Sequence, residues 1–392
     1  MNNNFFYPLA SNSWDNNEIA AIESVIAKQT YKMGEQVCIF ENCFAKKFGS
    51  KYAVMVNSGS SANLLAIAAL CYKSKNPLKA HDEIIVPSLS WPTTYYPVHQ
   101  YNMKLVFVDI DKYTLNIDTE QLMLALSEKT KAVFVPHILG GVANIDELIN
   151  FCRKHNLYLI EDNCESMGAR YASKYAGTYG ICGTFSMFFS HHISTMEGGV
   201  VVTDDEELYH IMLSLRAHGW TRDLPNKNSL CRKSAESFYE AFRFILPGYN
   251  LRPLEMEGAI GIEQLKKLND FIVTRKENAE HFNALFAHDA RFITQQEFAD
   301  SSWFGFSLLL TDKVKMSRAE VVCLLTKSGI ETRPIVCGNI LKNDVIKHLN
   351  HRVIGEHKNA EYVHNYGFFV GNHHYRLQTE LDHLYQVLSD VQ

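Results

Sequence analysis

Through the first two-thirds of the chain, short apolar runs alternate with amphipathic stretches of helical period. The runs Tyr52–Val56, Glu83–Val86, Leu105–Val108, Ala132–Val135, Leu157–Ile160, Thr184–Phe188 and Val200–Thr203 are rich in β-branched or aromatic residues. They are bounded by Gly, Pro, Asn or Asp, which predicts strands. Apolarity on successive rather than alternate positions is the pattern of strands covered on both faces of a mostly parallel sheet. The stretches between them then serve as crossover helices of an α/β layer. Beyond Gly258-Ala-Ile-Gly261 the pattern changes. Leu265, Leu268, Phe271 and Ile272 stand at helical spacing and predict a long helix from Ile262 to about His288. Trp303–Leu310 reads as a strand, Arg318–Ser328 as a helix and Glu331–Val336 as an extended segment. A chain of 392 residues is long enough to divide. The expected division is a large domain over 1–264 and a smaller C-terminal α/β domain over 265–392, with Met1–Thr30 packing on the latter.

Charge removes two classes of partner. With 38 basic and 43 acidic side chains the net charge is −5, which gives no field to attract nucleic acid or an anionic membrane. An anionic small molecule therefore needs local donors. No apolar run is long enough to span a bilayer, and the start Met-Asn-Asn-Asn-Phe-Phe lacks the basic and apolar stretches of a signal peptide. Nine scattered cysteines, odd in number and without a CxxC pair, predict reduced thiols and a cytoplasmic location.

Four segments carry candidate chemistry. Asn57-Ser-Gly-Ser-Ser-Ala-Asn63 joins a strand to an apolar helix, Ala62–Leu70. A small-residue turn at a helix start offers backbone N–H groups and a positive dipole end to an anion, although a serine there also serves as an ordinary N-cap. Ser186 adds a hydroxyl if it points out of its strand. Ile160-Glu-Asp-Asn-Cys-Glu-Ser166 ends a strand with carboxylates at the edge of the sheet where α/β ligand sites form; a solvated helix cap is the plainer alternative. Trp91, in the polar loop after a buried strand, suits stacking on a flat ring or covering a helix end. His191 and His192 close the run Thr184-Phe-Ser-Met-Phe-Phe-Ser-His-His. Imidazole titrates near neutrality and suits proton transfer; a metal would need further ligands at suitable spacing, so no metal site is assigned.

Together these features read as a pyridoxal phosphate (PLP) site with one omission. Enzymes using PLP commonly attach it through a lysine ε-amine, and no lysine occurs between Lys174 and Lys227. Asp162 is the carboxylate placed against the pyridine nitrogen, where it keeps the ring an acceptor of electrons.

The same residues carry a family resemblance, extending over nearly the whole chain. The runs Glu161-Asp-Asn-Cys-Glu-Ser-Met-Gly-Ala, Ser190-His-His-Ile-Ser-Thr-Met-Glu-Gly-Gly, Arg216-Ala-His-Gly-Trp-Thr-Arg and Leu246-Pro-Gly-Tyr-Asn-Leu-Arg-Pro resemble the DegT/aspartate aminotransferase-like family of sugar-modifying PLP enzymes. Counting back from Gly198-Gly199 sets His191 on the lysine of aminotransferase members. The resemblance implies the PLP fold-type I arrangement and a homodimer with shared active sites. It implies that Gly59, Ser60 and Ser186 hold the phosphate, with Asn250 supplied by the neighbouring subunit. Trp91 stacks, Asp162 meets the ring nitrogen, Glu165 lies near the ring hydroxyl, and His191 is the catalytic base. His218 and Arg252 are assigned to substrate or glutamate. The implied activity uses PLP/PMP and L-glutamate to remove the C3 hydroxyl of a GDP-linked 4-keto-6-deoxy sugar, releasing ammonia. Such chemistry serves colitose-type deoxysugar formation for O-antigen or capsule. GDP rests on the resemblance alone, and a hexose and a heptose fit equally.

Three rivals remain at this stage. A nucleotide-sugar 4-aminotransferase is disfavoured by the lysine gap. An iron–sulfur dehydrase needs clustered cysteines, whereas Cys152, Cys164, Cys182 and Cys231 are spread. A cofactor-binding sensor has no use for a proton shuttle.

Overall fold

The computed structural model describes residues 5–389 and 391. Its strands, in chain order, are β1 (Tyr52–Val56), β2 (Glu83–Pro87), β3 (Lys104–Val108), β4 (Thr130–Pro136), β5 (Tyr158–Asp162), the short pair β6 (Arg170–Tyr171) and β7 (Lys174–Tyr175), β8 (Cys182–Ser186), β9 (Gly199–Thr203), β10 (Phe292–Thr294), β11 (Gly305–Leu310), β12 (His351–Val353) and β13 (Gly367–Gly371). Eight form one sheet in the order β1-β9-β8-β5-β4-β2-β3-β12. All run parallel except β9, which pairs antiparallel with both β1 and β8. The sheet is therefore mostly parallel, and its central strands are buried at nearly every position, as their unbroken apolarity requires.

All seven expected strands of the large sheet form, Tyr52–Val56 with the expected ends and the others with shifted ones. The strand expected over Thr184–Phe188 runs over Cys182–Ser186; Phe188 and Phe189 are 42% and 45% exposed and leave the sheet. The long helix begins at Glu255, seven residues before the expected Ile262, and ends at Phe286. Gly258 and Gly261, beyond which the sequence pattern changes, are packing positions inside it. A Cβ on Gly258 would stand 2.6 Å from the Val37 nitrogen, and one on Gly261 2.7 Å from the Phe40 ring. They let the helix Glu35–Phe48 lie against the long helix. The strand expected over Trp303–Leu310 starts at Gly305, and Glu331–Val336 joins a sheet only through the bridge Arg333–Phe369.

A separate apolar core gathers Phe282, Phe286, Phe306, Phe368, Leu381 and Leu384 around the antiparallel sheet β10-β11-β13. Tyr7 is buried in that core, while the helix Asn16–Lys28 packs on the long helix instead. The expected cut at 264/265 falls inside a continuous helix. Residues His351–Val353 return to the large sheet beside β3, a connection with no signature in local periodicity. No helix among the described residues is long and apolar enough to cross a membrane.

Candidate active site

Because β1, β2, β4, β5 and β8 are parallel, their carboxyl ends meet along one edge, where ligand sites of open α/β sheets form. The register makes the convergence specific. Val56 at the end of β1 and Ser186 at the end of β8 both pair with Gly199, while Asp162 pairs with Thr184 and Pro136. A cavity of about 360 Å³ opens at this edge and is lined by Gly59, Ser60, Trp91, Asp162, Glu165, Ser186 and His191. Thus seven of the sequence-predicted residues come together. His218, Asn250 and Arg252 do not line it. A larger groove of about 700 Å³ between Lys28–Gln36 and the start of the long helix lacks this constellation.

The helix Gly59–Cys71 points its N-terminus into the cavity. Ser58 caps it, accepting from the Ser61 N–H at 3.1 Å. The cap and the anion site are therefore compatible, since the other first-turn N–H groups need external acceptors. Gly59 presses against β8, and a Cβ there would lie 2.5 Å from Ser186 Cβ and 3.1 Å from Cys164 Sγ. This contact forms a close-walled cup with the Ser186 hydroxyl at its rim. Ser60 Oγ donates to Thr93 Oγ1 at 3.2 Å, tying the cup to the Trp91 loop.

Asp162 is only 5% exposed, which rules out a solvated cap. Its Oδ2 accepts from Asn63 Nδ2 and Thr94 Oγ1, both at 2.8 Å, and its Oδ1 from the Cys164 N–H at 3.2 Å. Thr184 in turn donates to Asn63 Oδ1 at 2.6 Å. Such a network fixes a carboxylate toward a cationic ring nitrogen. Glu165 accepts from the Leu139 N–H at 3.0 Å, and burial, aided by the nearby Asp162 charge, raises its carboxyl to about 7. Trp91, 55% exposed at the mouth, offers an open indole face.

His191 stands where Phe188 and Phe304 meet it edge-on, with centroids 6.0 and 5.2 Å away. Its Nδ1 is buried without a hydrogen-bond partner. Burial first, and the Arg275 charge second, lower the imidazole to about 4, so it is a neutral proton acceptor near pH 7. His192 differs. It is 1% exposed, and its Nε2 bonds the Ser302 carbonyl at 3.1 Å. No lysine lines the cavity among the described residues; its one cation is Arg333. Sequence reasoning missed Arg333, Asn63 and Thr94. An asparagine inside an otherwise apolar helix was the available signal for Asn63; Thr94 and Arg333 become neighbours only through the fold.

His218, Asn250 and Arg252 lie together elsewhere. Arg252 Nε donates to Asn250 Oδ1 at 3.0 Å, His218 packs edge-on to Trp220 at 4.8 Å, and the Arg252 guanidinium lies 5.7 Å from the Trp220 ring. Phe238, Tyr239, Phe242 and Phe244 expose 84%, 55%, 64% and 53% beside them. All nine cysteines are unpaired.

The chain is similar to known proteins over nearly its whole length. The model of the DegT/DnrJ/EryC1/StrS aminotransferase family matches residues 12–389. The GDP-4-keto-6-deoxy-D-mannose 3-dehydratase of Yersinia pseudotuberculosis is 53% identical over 98% of both chains. The solved E. coli GDP-4-keto-6-deoxy-D-mannose-3-dehydratase with bound hydrated PLP superposes with a TM-score of 0.96, at 54% identity over 98% of this chain and 99% of that one. A second solved GDP-4-keto-6-deoxymannose-3-dehydratase, holding a trapped PLP-glutamate geminal diamine, also gives 0.96 at 54% identity, over 97% and 100% of the two chains.

Proposed function

The chain belongs to the DegT/DnrJ/EryC1/StrS aminotransferase family, and from that premise we propose that it is a PLP-dependent 3-dehydratase of GDP-4-keto-6-deoxymannose. It uses L-glutamate as amino donor and yields a 4-keto-3,6-dideoxy sugar, 2-oxoglutarate and ammonia. One observation carries the choice of dehydration over amination. The base position in the cavity is an imidazole, His191, and no lysine lines the walls.

The residues fit the cofactor by their own chemistry. The capped helix start with Gly59, Ser60 and Ser186 would receive a phosphate, Asp162 would pair with a protonated ring nitrogen, Glu165 would meet the ring hydroxyl, and Trp91 would cover a ring face. Bound there, PLP supplies an electron sink and carries the amino group of glutamate. Asp162 keeps the sink cationic. His191, neutral near pH 7, accepts a proton from the reacting carbon; being a tertiary-type ring nitrogen rather than a primary amine, it cannot recapture the aldehyde and release an amino sugar. Arg333 offers a positive charge to an anionic substituent of a substrate. Phe188, Phe304 and Phe369 exclude water from the inner wall.

The mutual arrangement of sites is part of the proposal. Asn250, His218 and Arg252 lie outside their own cavity, beside exposed aromatics, which supports a homodimer in which they complete the partner's site. A cofactor-binding unit and a C-terminal unit are supported by the separate core around Phe306, with the boundary beyond the expected 264/265, since Leu265, Leu268, Phe271 and Ile272 pack with Val37 and Phe185 of the larger unit. Incubating the protein with PLP, glutamate and GDP-4-keto-6-deoxymannose and weighing the product decides the reaction. A deoxyketose is expected; an amino sugar would make the protein an aminotransferase.

A further inference from the structure

Arg275 is a buried cation without a carboxylate partner. It is 4% exposed and makes no ion pair among the described residues. Its Nη1 donates instead to three backbone carbonyls, at 2.7 Å to Asn372, 3.2 Å to Phe304 and 3.4 Å to Trp303, while Nε has no partner. Burying a charge in this way is costly, and a packing role alone would be served better by an apolar side chain.

What the three carbonyls hold explains the position. The segment Ser302–Phe304 enters β11 with Trp303 in the left-handed region at φ 48°, a conformation that needs external support. Phe304 presses its ring edge against His191 at 5.2 Å and tilts against His192 at 5.7 Å. His192 bonds the Ser302 carbonyl. The same loop is therefore gripped by Arg275 from the long helix and by His192 from the base's own segment. Asn372 closes the set, its amide donating to the Arg275 and Trp303 carbonyls at 3.0 and 2.9 Å.

We propose that Arg275 is a positioning residue for His191: it fixes the loop Ser302–Phe304 that braces the two histidines, and lays an uncompensated positive charge beside the base. The inference rests on His191 being the base and adds a residue that touches neither substrate nor cofactor. The other ionisable groups around this space include His192 on the same segment, Asp162, Cys164 and Glu165 at and after the end of β5, Glu197 in the turn before β9, His137 after β4, Arg333, and His373 and His374 after β13, which face Arg275. Among these charges only that of Arg275 joins burial in lowering His191. Arg275 is the charge felt by both histidines of the pair.

The test follows His191 directly. In the holoenzyme carrying ring-labelled histidine, its NMR signal is identified by loss in His191→Asn and titrated with pH. Arg275→Met is expected to move the midpoint up by roughly one unit. Arg275→Lys keeps the charge, but its shorter side chain stops short of the Nη1 position from which the three carbonyls are held, so it should leave the midpoint in place and lower kcat about tenfold at little-changed KM. An unmoved midpoint in Arg275→Met, or wild-type kcat in Arg275→Lys, overturns the inference. If Arg275→Met does not fold, the lysine variant decides alone. Activity surviving in His191→Asn would instead remove the base assignment, and would leave the titration shift of His191 as measured in the arginine variants standing.

Discussion

Asn63 donates its side-chain amide to Asp162 across 2.8 Å, joining the first helix turn that cups an anion to the carboxylate at the end of β5. Both are buried, at 1% and 5% exposure, so the bond has no competing water. It couples two parts of the site that sequence separates by 99 residues. A bond to a charged group contributes about 1.5–3 kcal/mol. Asn63→Ala should therefore weaken PLP binding by about 10- to 100-fold, read by absorbance titration. An unchanged Kd would mean that the orientation of Asp162 does not matter to retention.

Gly59 makes the sharper steric prediction. In Gly59→Ala the new methyl meets Ser186 and Cys164, so the cup must open. The variant should fold but lose most of its preference for PLP over unphosphorylated pyridoxal, measured as the ratio of the two Kd values. A ratio equal to that of the wild type would place the phosphate elsewhere.

Which parts of this arrangement can be read from the chain depends on whether they are local. Asp162, Glu165, Ser186 and His191 follow short apolar runs that each predict a strand, and a strand end in a parallel sheet is a place in space. The seven strands were legible for the same reason. Thr94 reaches Asp162 only because β2 and β5 flank β4. Phe304 reaches His191 only because the C-terminal unit folds back onto the carboxyl edge. Strand β12 carries two half-buried residues, an exposed valine and no periodicity; tertiary pairing with β3 decides it. The early start of the long helix was hidden by glycines selected for contact with the helix Glu35–Phe48 rather than for breaking.

The protonation states give a pH prediction. Burial sets His191 near 4, below its unfolded value near 6.5, so its working neutral form persists down to about pH 4. The acid limb of kcat/KM due to this group should lie well below 6; a limb at 6.5 would indicate a solvated imidazole. For stability the sign is that of a depressed histidine. The unfolded chain takes the proton first, so the contribution of neutral His191 is complete above 6.5 and is lost as pH falls from there toward 4. Glu165 sits near 7, and the absorbance of bound cofactor should change through that range in the wild type but not in Glu165→Gln.

Shared sites are tested by mixing subunits. His191→Asn and Asn250→Ala should each be impaired alone. If Asn250 serves the partner, a mixed dimer holds one intact site, and equal mixing should recover about a quarter of wild-type activity. No gain on mixing would confine Asn250 to its own chain.

The central claim is that an imidazole stands where a primary amine would tether the cofactor. Treating the PLP-loaded protein with borohydride and weighing the intact chain tests this most directly. The account predicts the unmodified mass of the 392-residue polypeptide; a reduced pyridoxyl group fixed to a lysine side chain would contradict it.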